Sequence, residues 1–153
     1  MRLVLQRVTH GSVTIEGEVK GKIDQGYVVL VGFGQDDDEK VLDPMIDKML
    51  NLRVFSDENG KMNRSLLDIG GSILSISQFT LYADCRHGRR PGFTQAAKPD
   101  IATTLYDRFN AKLTALGIHL AKGEFGADML VEIANDGPVT IILDSETVLS
   151  KNK

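Results

Sequence analysis

This chain has almost no cysteine: Cys85 stands alone among 153 residues, so no internal disulfide can form. It also lacks any apolar run near the roughly 18–20 residues that a membrane helix needs. Its start, Met1-Arg2-Leu3-Val4-Leu5, does not show the basic, apolar and small-residue order of a signal peptide. The expected setting is therefore the cytoplasm, with no membrane partner. Neither sign of charge dominates. With 18 basic and 21 acidic side chains the net charge is −3, which excludes a histone-like polycation but allows a local basic patch. Missing too are a zinc-ligand spacing, a Walker loop, a dinucleotide-binding glycine fingerprint, a nucleophile elbow and an HExxH pair. No metal or other cofactor is expected.

What is present suits one domain over residues 1–153, long enough to bury roughly 70% of the surface that the unfolded chain exposes. Met1 to Val8 alternates like a strand, with Leu3, Leu5 and Arg7 on one face. Arg7 on an inward face needs acceptors, as a buried anchor or as a group near a site. Ser12–Ile15 and Glu18–Lys20 flank a tight Glu16-Gly17 hairpin, and Gly26–Gly32 reads as a central strand covered on both faces. Asp36-Asp37-Asp38-Glu39 is either a metal cluster or the acidic start of a helix, and the apolar spacing that follows favours the helix, with Pro44 near its beginning. Arg53-Val54-Phe55 reads as a short strand before an Asp57–Gly60 turn. From Pro99, Ile101, Leu105, Phe109, Leu113 and Leu116 repeat at helical spacing until Gly117. Met129–Ile133 and Val139–Leu143 read as strands joined at a Gly137-Pro138 corner, and the tail after Asp144 reads as frayed. Seven or more strands and two helices make an α+β unit.

Two stretches carry the chemistry. Ser72–Tyr82 reads as a buried strand ending in Ser77-Gln78-Phe79-Thr80, where unpartnered hydroxyl or amide groups would cost about 1–3 kcal/mol each. These groups must bond within the fold or face a ligand. Backbone N–H groups at such a strand end can polarise a carbonyl; alternatively Thr80 or Ser77 is a nucleophile, although no base is adjacent in sequence. Asn135-Asp136-Gly137-Pro138-Val139-Thr140 is the second stretch, with the isomer of its Gly-Pro bond open. Between them, Arg86, Arg89 and Arg90 lie in a Gly/Pro-broken loop that suits phosphate, unless it serves only as a solvated surface.

Ser77–Leu81, Gly88-Arg89-Arg90-Pro91, Phe125-Gly126-Ala127 and Asn135–Thr140, with Gln6-Arg7-Val8 near the start, resemble the D-aminoacyl-tRNA deacylase family over almost the whole chain. Cys85-Arg86-His87 and Gly92 depart from its pattern. The resemblance implies a barrel-like sheet of mixed and antiparallel strands with two main helices. It implies a homodimer that hydrolyses the ester joining a D-amino acid, or glycine, to the 3′ end of tRNA, with no DNA partner. By the same resemblance the Phe79 N–H stabilises the oxyanion, Ser77, Gln78 and Thr80 complete the catalytic stretch, and the substrate's own 2′-OH assists the attacking water. A cis Gly137-Pro138 pair, with Asn135 and held by Arg7, enters the partner's pocket and excludes L-amino acids. Contact of Arg86, Arg89 and Arg90 with acceptor-end phosphates is our own expectation. A nucleic-acid-binding module without catalysis is the alternative.

Overall fold

In the computed structural model, which describes residues 1–150, the first strand is the spine of the sheet. Strand β1 (Arg2–Ile15) is bonded along both edges, all antiparallel: β2 (Glu18–Ile23) and β3 (Gly26–Gly32) follow one another along one edge, while β8 (Leu130–Asp144) takes the other. The expected separate segments Met1–Val8 and Ser12–Ile15 are thus one strand, because β8 bridges the gap between them with only register shifts. The Glu16-Gly17 hairpin forms, with both residues at positive φ.

Strand β3 is central as expected, since β6 (Ser72–Ser77) joins its far edge in parallel and β7 (Leu120–Lys122) extends the sheet, again in parallel. Strands β2 and β7 nearly meet: a Cβ added at Gly21 would lie 3.2 Å from Ala121 Cβ. The mixed, barrel-like sheet expected from the resemblance is the one observed. Tyr27, Val29 and Val31 of β3 face a core shared with the helices, while Val28 joins Leu74 and Ile76 inside the barrel. Alternate residues of one strand thereby serve two cores.

Two longer helices cover the outer face. Asp38 caps a 3-10 turn (Glu39–Val41), and helix α1 (Leu42–Asn51) follows with Pro44 in its first turn, where no intrahelical N–H is lost. Helix α3 (Pro99–Ala115) opens on Pro99 and buries Leu105, Phe109 and Leu113, whereas the ends of the expected stripe, Ile101 and Leu116, are exposed. A short hairpin, β4 (Phe55–Ser56) and β5 (Met62–Arg64), closes around the Asp57–Gly60 turn. Helix α2 (Leu66–Ile69) is a single turn closed by a Ser65/Asp68 capping box.

Three expectations fail. The strand expected to reach Tyr82 stops at Ser77 and a 3-10 turn occupies Phe79–Tyr82. The Gly137-Pro138 corner does not reverse the chain; the segments on either side lie along β1 within one strand, β8, because residues 136–139 leave the ladder and rejoin it. The tail is not wholly frayed, since Asp144 caps a one-turn helix, α4 (Ser145–Val148); residues 151–153 of that tail lie outside the described residues.

Candidate active site

Strand β6 carries the chain to the site and stops there. The Gln78 N–H makes the last rung, donating to the Val31 carbonyl at 2.8 Å, and the 3-10 turn begins. Gly32 on β3 lets the turn approach: a Cβ there would lie 3.0 Å from both the Gln78 carbonyl oxygen and Leu81 Cβ. The first N–H groups of a helical turn have no acceptor within it. Those of Phe79 and Thr80 find none elsewhere among the described residues. The expected burial of this stretch is corrected as well. Ser77 and Gln78 are half-buried, Phe79 and Thr80 are exposed, and the Gln78 amide donates to the Thr80 hydroxyl. Because the chain leaves the sheet at Ser77, the desolvation cost of a buried polar strand does not arise.

From below, α3 braces the strand. The buried Tyr106 hydroxyl donates to the Ser75 carbonyl at 2.8 Å, and burial pushes the Tyr106 phenol above its ordinary pKa, keeping it a neutral donor. One and two helical turns earlier, Ala102 and Pro99 form part of the wall of a cavity of about 610 Å³. Phe79, Phe93, Phe125 and Met129 supply more apolar wall, with Ser77 and Gln78 at its polar side. Phe79 and Phe93 meet edge to face, with centroids 4.9 Å apart. Asp128 is the one ionisable residue among those lining the cavity; none of the three histidines reaches it. The volume and mixed lining are those of a small-molecule site.

The second polar stretch sits apart. Opposite Arg7 the β8 ladder jumps from Thr140, paired with Gln6, to Asn135, paired with Val8. The Asn135 side chain closes the neck of this excursion, accepting from the Val139 N–H at 2.7 Å and donating to the Thr140 hydroxyl at 3.1 Å. Arg7 is nine-tenths buried and spans the excursion's base: Nε donates to the Asp136 carbonyl at 2.9 Å and Nη1 to the Val54 carbonyl at 2.7 Å. Gly137 has φ +133°, and a Cβ on it would lie 2.8 Å from Val139 Cγ2 and 3.0 Å from Arg7 Nη2. The Gly137-Pro138 bond is cis, and both residues are exposed. Among the described residues, none of Asn135 to Thr140 lines the cavity of the same chain.

A model of the family described as D-Tyr-tRNA(Tyr) deacylase matches residues 4–144. The chain belongs to that family. It is 59% identical to a D-aminoacyl-tRNA deacylase of Limosilactobacillus reuteri (strain DSM 20016), over 94% of this chain and 99% of that one. It is 57% identical to a D-aminoacyl-tRNA deacylase of Thermus aquaticus, over 95% of each. Among solved structures, a c-Myc DNA unwinding element binding protein superposes with TM-score 0.89 at 43% identity, over 95% of this chain and 99% of that one. A probable eukaryotic D-amino acid tRNA deacylase shares the fold, with TM-score 0.81 at 20% identity over 93% of this chain and 97% of that one.

In this deacylase-family chain the three loop arginines are not equivalent. Arg86 is bound to Asp84 through Nε at 2.9 Å and Nη2 at 2.8 Å, while Arg89 and Arg90 are exposed without an ion-pair partner among the described residues. The Asp36–Glu39 acids are used locally. Asp37 accepts the Gly34 N–H and pairs with the amino terminus, Asp38 caps, and Glu39 pairs with Arg108. Among the described residues no cluster of three or more His, Cys, Asp or Glu is placed to hold a metal ion, and no helix is long and apolar enough to cross a membrane. Sequence reasoning missed Phe93, Pro99, Ala102 and Met129 as cavity wall. The wall residues that the sequence does point to are Ser77, Gln78 and Phe79, from their polar stretch, and Phe125-Gly126-Ala127, from the family likeness.

Proposed function

We propose that the chain hydrolyses the ester between a D-amino acid, or glycine, and the terminal adenosine of tRNA. The observation that carries this reading is the pair of N–H groups at Phe79 and Thr80 that find no acceptor among the described residues, set beside an aromatic-walled cavity that no described imidazole or amine lines. The apolar wall suits the adenine base, and the polar side faces the ester. As water adds to the carbonyl carbon, charge builds on the carbonyl oxygen, where the Phe79 N–H meets it; one such donor is worth about 10²–10³ in rate. The substrate's 2′-OH assists the water, the bond from carbonyl carbon to ribose oxygen breaks, and the proton goes to that oxygen. Gln78 and Thr80 place the ester rather than attack it.

Selectivity comes from a second copy of the chain, which inserts its Gly137-Pro138 excursion into the cavity. Main-chain carbonyls then face the substrate α-carbon, and an L side chain collides with them while hydrogen or a D side chain does not. Two features support this arrangement. The excursion is exposed and absent from its own chain's cavity. It also belongs to β8, which pairs only with β1 among the described strands and exposes Leu130 and Ile142. Hydrolysis of D-Tyr-tRNA with L-Tyr-tRNA left intact is the expected result; equal rates on both would overturn it. A binding module without catalysis is the second reading, favoured by the 43% identical neighbour named for DNA binding. It predicts nucleic-acid binding without turnover, unchanged by Gly137→Ala.

A further inference from the structure

The arginine loop has a built base. Asp84 and Gly92 exchange both backbone hydrogen bonds, at 2.7 and 2.9 Å, so residues 85–91 project as one exposed loop. The residue just past that base, Phe93, enters the cavity wall against Phe79. The loop therefore springs from the rim of the cavity. Across its foot, Asp84 grips Arg86 through the Arg86 N–H at 3.1 Å and through two guanidinium nitrogens. The charge of Arg86 is balanced by Asp84, and its Nε and Nη2 are engaged there. Among the described residues Arg89 and Arg90 have no such partner, and neither does Lys98, which sits between Ala97 and Pro99, both residues of the cavity wall.

Resting on the deacylase reading, we infer that Arg89, Arg90 and Lys98 hold the phosphates of the single-stranded RNA leading to the terminal nucleotide, and that Arg86 is a clip for the loop rather than a contact. A chain of net charge −3 has no overall attraction for RNA, so capture has to be local. Among the described residues that line the cavity Asp128 is the only charge, which suits a nucleoside there with its phosphates kept at the rim. Arginine forks also match phosphate oxygens.

The test uses the full-length protein and a hairpin RNA with a short 3′ single strand, compared with the same hairpin made blunt, across a salt series. R89Q and R90Q are each expected to flatten the slope of log binding constant against log salt by about 0.7, the share of one single-strand phosphate. The double variant is expected to lose the preference for the overhang. D84N/R86Q, which leaves net charge unchanged, is expected to keep the wild-type slope. A wild-type slope in R89Q/R90Q, or a flattening in D84N/R86Q as large as in R89Q, overturns the inference. Wild-type turnover of D-Tyr-tRNA is read in parallel. Turnover with an unmoved slope in R89Q/R90Q sinks this inference alone, whereas flattened slopes without turnover sink the deacylase reading and leave the rim as an RNA-binding surface.

Discussion

The Phe79–Tyr82 turn and the residues 136–139 excursion are both departures from a strand, yet they are built in opposite ways. The turn leaves its leading N–H groups open over a cavity and is braced from beneath by Tyr106. The excursion satisfies itself: Asn135 bonds across its neck, Arg7 holds its base, and its tip is exposed. One is a receptacle with unused donors and the other is a rigid protrusion with a bare backbone. On the proposed reading the chemistry and the selectivity reside in separate parts of the chain, so each can be damaged without the other.

The largest effect is expected from removing the N–H of Phe79. Gln78, at φ −148° and ψ 85°, lies outside the α region that a following proline disfavours. Phe79→Pro should lower kcat by about 10²–10³, whereas Phe79→Ala, which keeps the N–H, should mainly raise KM; single-turnover kinetics separates the two. Next, Gly137→Ala introduces the close contacts with Val139 and Arg7, and the displacement should lower the D-to-L ratio of kcat/KM by about 10² while leaving the rate on D-Tyr-tRNA little changed. An unchanged D-to-L ratio would break the division of labour. Arg7→Leu strands the Asp136 and Val54 carbonyls and should lower stability by about 2–3 kcal/mol in urea unfolding.

Smaller effects sharpen the comparison. Thr80→Ala deletes the partner of the Gln78 amide and should slow hydrolysis about fivefold, the equivalent of about 1 kcal/mol. Complete loss with a trappable acyl-enzyme would instead make Thr80 the nucleophile. The smallest concerns Asp84, whose carboxyl the Arg86 side chain and then its backbone N–H hold down to about 2. A depressed carboxyl stabilises the loop above its unfolded value of about 4 and loses that contribution as pH falls through about 2. The Asp84 carboxyl resonance should therefore titrate well below that of a free aspartate, and Arg86→Gln should bring it back.

Helix α3 was legible because Leu105, Phe109 and Leu113 repeat on one face and Pro99 marks the start. So was the polarity of Ser77–Thr80, but its shape was not. Alternation alone carried the strand to Tyr82, while the turn depends on the closeness of Gly32, a neighbour far away in sequence. Gly137-Pro138 misled for a related reason. Glycine and proline signal a bend, yet whether the chain then reverses or resumes depends on β1 offering partners on both sides. Arg7 was read as needing acceptors, and those it found are main-chain carbonyls, which leave no trace in a sequence. The cavity wall was invisible because Phe93, Ala102 and Met129 come from three separate segments.

Arg7 lies on a strand that is laced to neighbours along both sides, and so its grip on the bare corner is as durable as the sheet itself. In the proposed reading that corner is a sieve, and one mounted this way does not loosen ahead of its frame. On heating, rejection of the wrong enantiomer should stay level until the whole molecule melts and then vanish in the same narrow interval.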